Sequence, residues 1–579
     1  MNRIFNFLSL GLIPRQMRRV LGGPATSGVP VLSGCASAAS RAHRKLLIDW
    51  RLECSFLSSR RGGTTRTTSC PGHPGTPRFF RLGSLIPKQS LFLALLVLTP
   101  FLNLQAATHA DFAWENSIIL IHVAAKEYNY IQPWERSEKM VFKTGVVVNG
   151  HLIITTAEGL ADQAEIRVKK QGDGLYSEAH LVWIDYQSNL AALTTDEKDF
   201  WTGLQPAQLA DPVPITGPVR ILRWNEDLLE NRQGEIERFT VENSALSFVS
   251  VPALKIDSTI PAAGYGEAVT VGDKLIGLAC AQGGDAVTAI PSSFIAPILK
   301  AQQARTYTGL GYFDFTWDPA ENPLNLDYLK LPGPARGVIV RETGLKPGVV
   351  SQVHSGDVIL QIDGFDIDAE GNYRDPDYKK LCLENLSSRG KWAGMTSKLK
   401  IWRDGKEQTI VYQLPKAAYS DELVQEQMFD QAPEYVLAGG FVFVPLSQPY
   451  LRSWGPNWRQ VAPFRLSYFA TDKVTPERPQ RVVLSQVLPY TTNMGYESMR
   501  NTVIDEINGI KIKRIEDVLT ALKSPVNGFD VFKFESGEPV QEAVLDASNM
   551  DEVTQAIMTR YHILNDHVLN EPPAPVVQK

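Results

Sequence analysis

Between residues 112 and 300, apolar positions come in short runs separated by turn-forming residues. The segments V-F-K-T-G-V-V-V-N-G, H-L-I-I-T-T, A-E-I-R-V, A-H-L-V-W-I-D, P-V-R-I-L-R-W, K-L-I-G-L-A-C and A-V-T-A-I-P are rich in β-branched and aromatic residues, with Gly, Asp or Asn between them. This many short strands predicts a barrel or a pair of barrels. F-I-A-P-I-L-K-A-Q-Q then changes the period and predicts a closing helix.

A second unit is predicted at 305–415, from R-G-V-I-V-R-E-T, S-G-D-V-I-L-Q-I-D-G-F-D-I and S-K-L-K-I-W-R-D-G-K-E-Q-T-I-V-Y-Q-L. Its R-D-G-K joins two alternating strands and signals a hairpin. Residues 416–435 are polar and Gln-rich, a linker or a helix. A third unit at 436–560 repeats the order: R-V-V-L-S-Q-V-L, N-T-V-I-D-E-I-N-G-I-K-I and a helix I-E-D-V-L-T-A-L-K. V-I-L-Q-I-D-G-F-D-I and V-I-D-E-I-N-G-I-K-I look like an internal repeat. Residues 561–579 are expected to be a C-terminal tail, ending in a disordered E-P-P-A-P-V-V-Q-K.

Charge divides the chain. The formal net charge is -5, but residues 1–110 carry 14 Lys and Arg against Asp49 and Glu53 alone, leaving 44 basic and 61 acidic residues for the body. An acidic body argues against binding a nucleic-acid backbone. Residues 1–80 are rich in Arg, Ser, Gly and Thr without periodicity, and predict a disordered or mis-assigned extension. Residues 81–110 have a basic flank, an apolar core of about a dozen residues and a small-residue stretch, the layout of a secretory signal peptide ending near Ala106 or Ala110. Export to the periplasm or medium is the first expectation; a membrane anchor or an organelle is the alternative. With the signal cleaved, no membrane span is expected in the mature chain. Of five cysteines, only Cys280 and Cys382 lie in the body, and their separation fits no metal site.

Several ordered segments resemble the trypsin-like domain of the HtrA/Deg family. T-G-V-V-V-N-G-H-L-I-I-T-T-A-E-G-L-A-D-Q-A-E-I-R-V, D-Y-Q-S-N-L-A-A-L, D-S-T-I-P-A-A-G-Y-G-E-A-V, V-G-D-K-L-I-G-L and A-I-P-S-S-F carry the likeness. The two later units resemble PDZ domains, and A-G-G-F-V-F-V-P-L-S-Q-P-Y-L-R-S-W is most similar to plant Deg-type proteases. The resemblance implies a mainly β chain: a trypsin-like double β-barrel at 112–300 followed by two PDZ-like α+β domains.

It also implies where a Ser-His-Asp triad would sit. Glu158 stands at the histidine position, Asn189 at the aspartate and Gly264 at the serine. Gly264 cannot attack a carbonyl, and no imidazole is present to be oriented by Asn189. No catalytic residue is intact. His151, at the opposite end of a strand about 20 Å from Glu158, reads as a solvated turn residue. Ser258, Ser292 and Ser293 read as turn or edge hydroxyls, and Tyr265 as a side chain filling the emptied pocket. No metal site or cofactor is expected.

For the PDZ-like units the resemblance implies peptide capture by strand addition, with the peptide carboxylate held in a glycine-containing loop. Leu310, Gly311, Tyr312 and Phe313 match that loop. The function expected is therefore a catalytically inactive HtrA/Deg-like protein. It would bind unfolded proteins or C-termini, in protein quality control or as a scaffold, as a homo-oligomer or together with active family members. The alternative is an active serine endopeptidase.

Overall fold

The computed structural model describes residues 112–170, 174–225, 228–261, 263–344 and 351–570. The expected extension at 1–80, the signal peptide at 81–110 and the end of the tail at 571–579 lie outside these residues.

Strands β1 (Ile118–Tyr128), β2 (Arg136–Val148), β3 (Leu152–Thr155), β4 (Gln163–Lys169), β5 (Ser177–Asp185) and β6 (Leu190–Thr194) close a barrel in the order β1-β2-β3-β6-β5-β4. Ile119, Ile121, Val123 and Val147 fill its interior. Their neighbours Ile118, Val146 and Val148 face the other way, into a second apolar cluster with Trp224 and Leu278. Both faces of these strands are therefore buried, so the sequence here reads as continuous apolar runs and not as alternation.

Strands β7 (Gln208–Leu209), β8 (Gly217–Asn225), β9 (Leu228–Asn243), β10 (Ser250–Ser258), β11 (Ala268–Val271), β12 (Lys274–Gly283) and β13 (Ala286–Pro291) form the second sheet, which β11 and β12 close on themselves. Ile221, Leu254, Ile256 and Val287 fill it. The Trp224 indole donates to the Ile118 carbonyl at 2.7 Å, stitching the barrels together. Helix α1 (Ser292–Gln303) follows and buries Phe294, Ile295 and Ile298 in the seam, as the change of period predicts.

The third sheet runs β14 (Phe315–Pro319), β15 (Val338–Thr343), β16 (Val358–Ile362), β20 (Thr396–Arg403) and β21 (Lys406–Gln413), with β17 (Phe365–Asp366) on β16 and a separate hairpin of β18 (Asn372–Asp375) and β19 (Lys379–Cys382). The fourth runs β28 (Glu542–Asp546), β27 (Phe529–Phe534), β25 (Thr502–Ile507), β24 (Val482–Val487), β23 (Phe441–Pro445), β22 (Tyr435–Ala438) and β29 (His567–Val568), with β26 (Ile510–Lys511) on β25. The internal repeat is structural: β16 turns into β17 through Asp363-Gly364, and β25 into β26 through Asn508-Gly509, all four residues at positive φ. Asp404-Gly405 does the same for the β20–β21 hairpin. These are the dipeptides a two-residue hairpin turn favours.

One expectation is corrected and two are refined. Of the two readings of 416–435, the helix is absent: the segment makes one 3-10 turn at Tyr419–Asp421, runs on as an irregular strap with several bends, and enters β22 at Tyr435. The helix in I-E-D-V-L-T-A-L-K is present over six residues, α2 (Glu516–Ala521). The expected tail begins too early: residues 562–570 follow helix α3 (Met550–Tyr561) and add β29 to β22. Both α3 and the short helices Gln448–Arg452, Trp458–Val461 and Phe464–Phe469 were unforeseen.

The units are packed on one another. Tyr378, at the tip of β18–β19, stacks on Phe239 of β9 at 4.0 Å and accepts from the Val213 amide. The loop after β1 reaches the fourth sheet, where Trp134 meets Tyr435 edge-on at 5.8 Å and the Ile131 carbonyl accepts from Gln486.

Candidate functional site

The three triad positions are gathered around one side chain that sequence reasoning missed. The Glu158 amide donates to Asn189 Oδ1 at 3.0 Å. Lys143, on β2, donates to the Glu158 carbonyl at 2.6 Å and to Thr156 Oγ1 at 2.8 Å. Its ammonium lies 5.6 Å from the centre of the Tyr265 ring. The Thr144 amide donates to the Tyr265 carbonyl at 3.0 Å, which ties the 264–266 loop to the same strand. Position 143 precedes the Thr-Gly of the first barrel signature, and a lysine inside an apolar strand was the available signal.

Lys143 is 2% exposed. Burial lowers its pKa to about 7, with Glu158 and then Glu267 pulling the other way. Glu158 is half-buried, and burial raises its carboxyl against the opposing fields of Lys143 and Lys139. Burial thus opposes the charged form of both groups, while the field of each favours the charged form of the other.

At Gly264 the backbone itself favours glycine. Gly264 has φ +134°, and a Cβ built there would meet Ala281 Cα at 3.1 Å and Ala281 N at 3.2 Å. A serine would be strained in this conformation. The amides of Gly264 and Tyr265 both donate to Glu267 Oε2 at 2.8 Å. In a trypsin-like site the nucleophile's own amide helps bind the oxyanion; here a buried internal carboxylate already holds it. Arg223 stands 3.7 Å from the other Glu267 oxygen.

Beside this loop lies an open cavity of about 550 Å³ lined by Ile260, Pro261, Ala263, Tyr265, Gln282 and Asp285. Gln282 crosses it, accepting from the Ala263 amide and donating to the Ile260 and Gly284 carbonyls. Tyr265 does not fill the pocket as expected; it stands 41% exposed at the rim. His151 stacks on Trp201 at 4.9 Å, and the hydroxyls of Ser258 and Ser292 donate to the carbonyls of Gln233 and Ala210. Among the described residues no serine hydroxyl is hydrogen-bonded to an imidazole, and no group of three metal-binding side chains converges. Cys280 and Cys382 are buried and are not joined in a disulfide.

The loop Leu310–Phe313 sits at the end of β21. Gly311 bridges to Lys416, the Tyr312 amide donates to the Pro415 carbonyl, and the Ala417 amide donates to the Leu310 carbonyl. Leu310 and Phe313 are buried, 1% and 8% exposed, so neither side chain lines an open groove. The next strand, β14, is an edge strand: among the described residues it pairs only with β15. The corresponding strand of the last sheet, β23, is flanked on both sides: β22 returns through Gly439-Gly440 and pairs with it along one edge, β24 along the other. Its ladder has no vacant side for an added strand.

Residues 424–568 match the family described as PDZ domain. The chain is 24% identical to the Arabidopsis thaliana protease Do-like 2, chloroplastic, over 78% of this chain and 75% of that protein. It is also 24% identical to protease Do-like 4, mitochondrial, over 78% and 85%. A third relative from the same plant, the mitochondrial Do-like 11 protein, aligns at 24% over 69% of this chain and 66% of its own length, just under two thirds. A solved structure described as HtrA-type protease AlgW with decapeptide superposes with a TM-score of 0.39 at 16% identity, over 52% of this chain and 95% of that one. Two β-barrels joined across an apolar seam precede the matched PDZ domain. In that arrangement, and along its sequence, the chain is similar to the Do-like proteases of the HtrA/Deg family.

Proposed function

We propose that this chain is a non-catalytic member of the HtrA/Deg family that binds protein segments, in quality control or as a scaffold for other family members. The observation that carries the reading is the state of position 264. It has no side chain, its φ suits glycine, and its amide is already bound by Glu267. Glu158 and Asn189 complete the loss.

Peptide binding is assigned to the first PDZ-like unit. An extended peptide would add antiparallel to the free edge of β14, with main-chain hydrogen bonds giving the affinity. β23 is a poor receptor because β22 already lies along it. The relatives named for mitochondria and chloroplasts support an organellar location over the periplasm. No helix of the described residues is long and apolar enough to cross a membrane.

The test is a fluorophosphonate probe together with a casein assay on the purified full chain. No labelling and no cleavage are expected, while peptides immobilised by their N-termini are retained. Stoichiometric labelling of any serine would overturn the reading.

A further inference from the structure

The strap between the two PDZ-like units crosses the loops of barrel 1 that carry Glu158 and Asn189. Phe429 stacks flat on Tyr186 at 3.9 Å. Next to that stack, two aspartates meet, each carboxylate against the other's backbone. The Asp162 amide donates to Asp430 Oδ1 at 2.8 Å, and the Asp162 carboxylate in turn accepts from the backbone amides of Gln431 and Asp430. The Tyr186 hydroxyl donates to Asp430 Oδ2 at 2.6 Å. Both aspartates sit at positive φ, 57° and 56°, so each carboxylate is held in a tight turn and faces the other's backbone. Asp162 Oδ1 is buried with no partner.

We propose that this reciprocal Asp162–Asp430 contact is a pH-sensitive latch, which holds the strap on barrel 1 more tightly when Asp162 is protonated and loosens it when both carboxylates are charged. The orphaned Asp162 oxygen is the place for that proton, since a protonated carboxyl can donate where a carboxylate can only repel.

The surrounding groups do not cancel the repulsion. Lys126, on β1, is the cation whose field favours an ionised Asp162. Tyr128 and Tyr130, from β1 and the loop after it, face the pair as neutral phenols, raised by burial first and by Asp162 next. Arg136 on β2 and Arg452 on the helix Gln448–Arg452 oppose those rises at the two tyrosines. The Tyr186 phenol is pushed up by burial and by its bond to Asp430, so it stays a donor. The net result is an Asp162 carboxyl raised to about 6, first by burial and then by Asp430.

The sign follows. The docked strap binds a proton more tightly than the free one, so docking strengthens as pH falls from about 6 toward the free value of 3.8, and it levels off at its weakest above 6. A carboxyl moved from 3.8 to about 6 limits the effect to about a hundred-fold. Partial exposure reduces it to roughly ten-fold.

Hydrogen exchange on the full chain tests this at pH 5.5 and 8, after correction for the chemical exchange rate. Amides 428–432 are expected to open up to about four-fold more often at pH 8 than at pH 5.5, while the β1–β6 core stays equally protected. In Asp162→Asn, which cannot ionise, that ratio should fall to about one. If Asp162→Asn frees the strap at both pH values, Asp430→Asn decides: a flat profile supports the latch and a wild-type profile overturns it. Equal wild-type protection at the two pH values, or an unchanged profile in Asp162→Asn, would also overturn it.

Discussion

Lys143 shows how much the degenerate site costs the fold. A lysine's free pKa is 10.5, and in the fold it is about 7. Between those values the folded chain binds fewer protons than the unfolded chain. Stability therefore rises as pH climbs from about 7 to 10.5, and the full burial penalty is present below 7. Replacing a buried charge by an apolar side chain of similar size is often stabilising. Lys143→Met is expected to stabilise barrel 1 by about 1–3 kcal/mol at pH 6, with the gain shrinking by pH 10; thermal unfolding at the two pH values checks it. At the serine position, Gly264→Ser should destabilise by about 1–3 kcal/mol, because its φ is +134° and Ala281 lies against the new Cβ. It should restore no acylation by a fluorophosphonate, since no imidazole is present at 158. Glu158, Asn189 and Gly264 could be singled out from the sequence because each stands inside a motif that resembles the family's. Lys143 and Glu267 could not, since their importance arises only when β2, the 156–158 turn and the 264–267 loop are folded together.

Among the elements, local signals held and context-dependent ones did not. Asp363-Gly364, Asp404-Gly405 and Asn508-Gly509 form hairpin turns whatever surrounds them, so both PDZ-like repeats could be read in advance. Helix α3 was missed because it lies in a polar stretch, with Val553, Ile557 and Met558 as its only large buried side chains. The β18–β19 hairpin was missed for a related reason: N-Y-R-D-P-D-Y-K-K-L-C is mostly polar, and its tip gains its place by docking on barrel 2. That docking rests on the flat Tyr378–Phe239 stack. Such pairs contribute about 0.5–1.5 kcal/mol beyond the area they bury. Tyr378→Ala is therefore expected to raise hydrogen exchange in β18–β19 several-fold while leaving β20–β21 unchanged. Equal exchange in the two hairpins would show that the tip is held by something else.

Across the whole molecule, what distinguishes this chain is how its PDZ-like units are tied down. The order of domains could be read from the sequence, but their docking could not, since it depends on contacts between residues hundreds of positions apart. Tyr130, Ile131 and Trp134, in the loop between β1 and β2, pack against an apolar cluster of the last unit that includes Tyr435, Leu437 and Val442. Without them that unit would present part of this cluster to water. Trp134→Ala removes the edge-on contact with Tyr435 and a large part of the shared apolar surface. Partial burial places the cost at about 1–3 kcal/mol, below that of a fully buried tryptophan. Because barrel 1 has its own interior, its unfolding temperature should not move. The loss should appear instead as release of the last unit: faster proteolytic cutting of the strap between residues 422 and 434, by several-fold, and a larger radius of gyration in solution. A variant that unfolds at a lower temperature with the strap still protected would mean that the loop supports the barrel and not the docking.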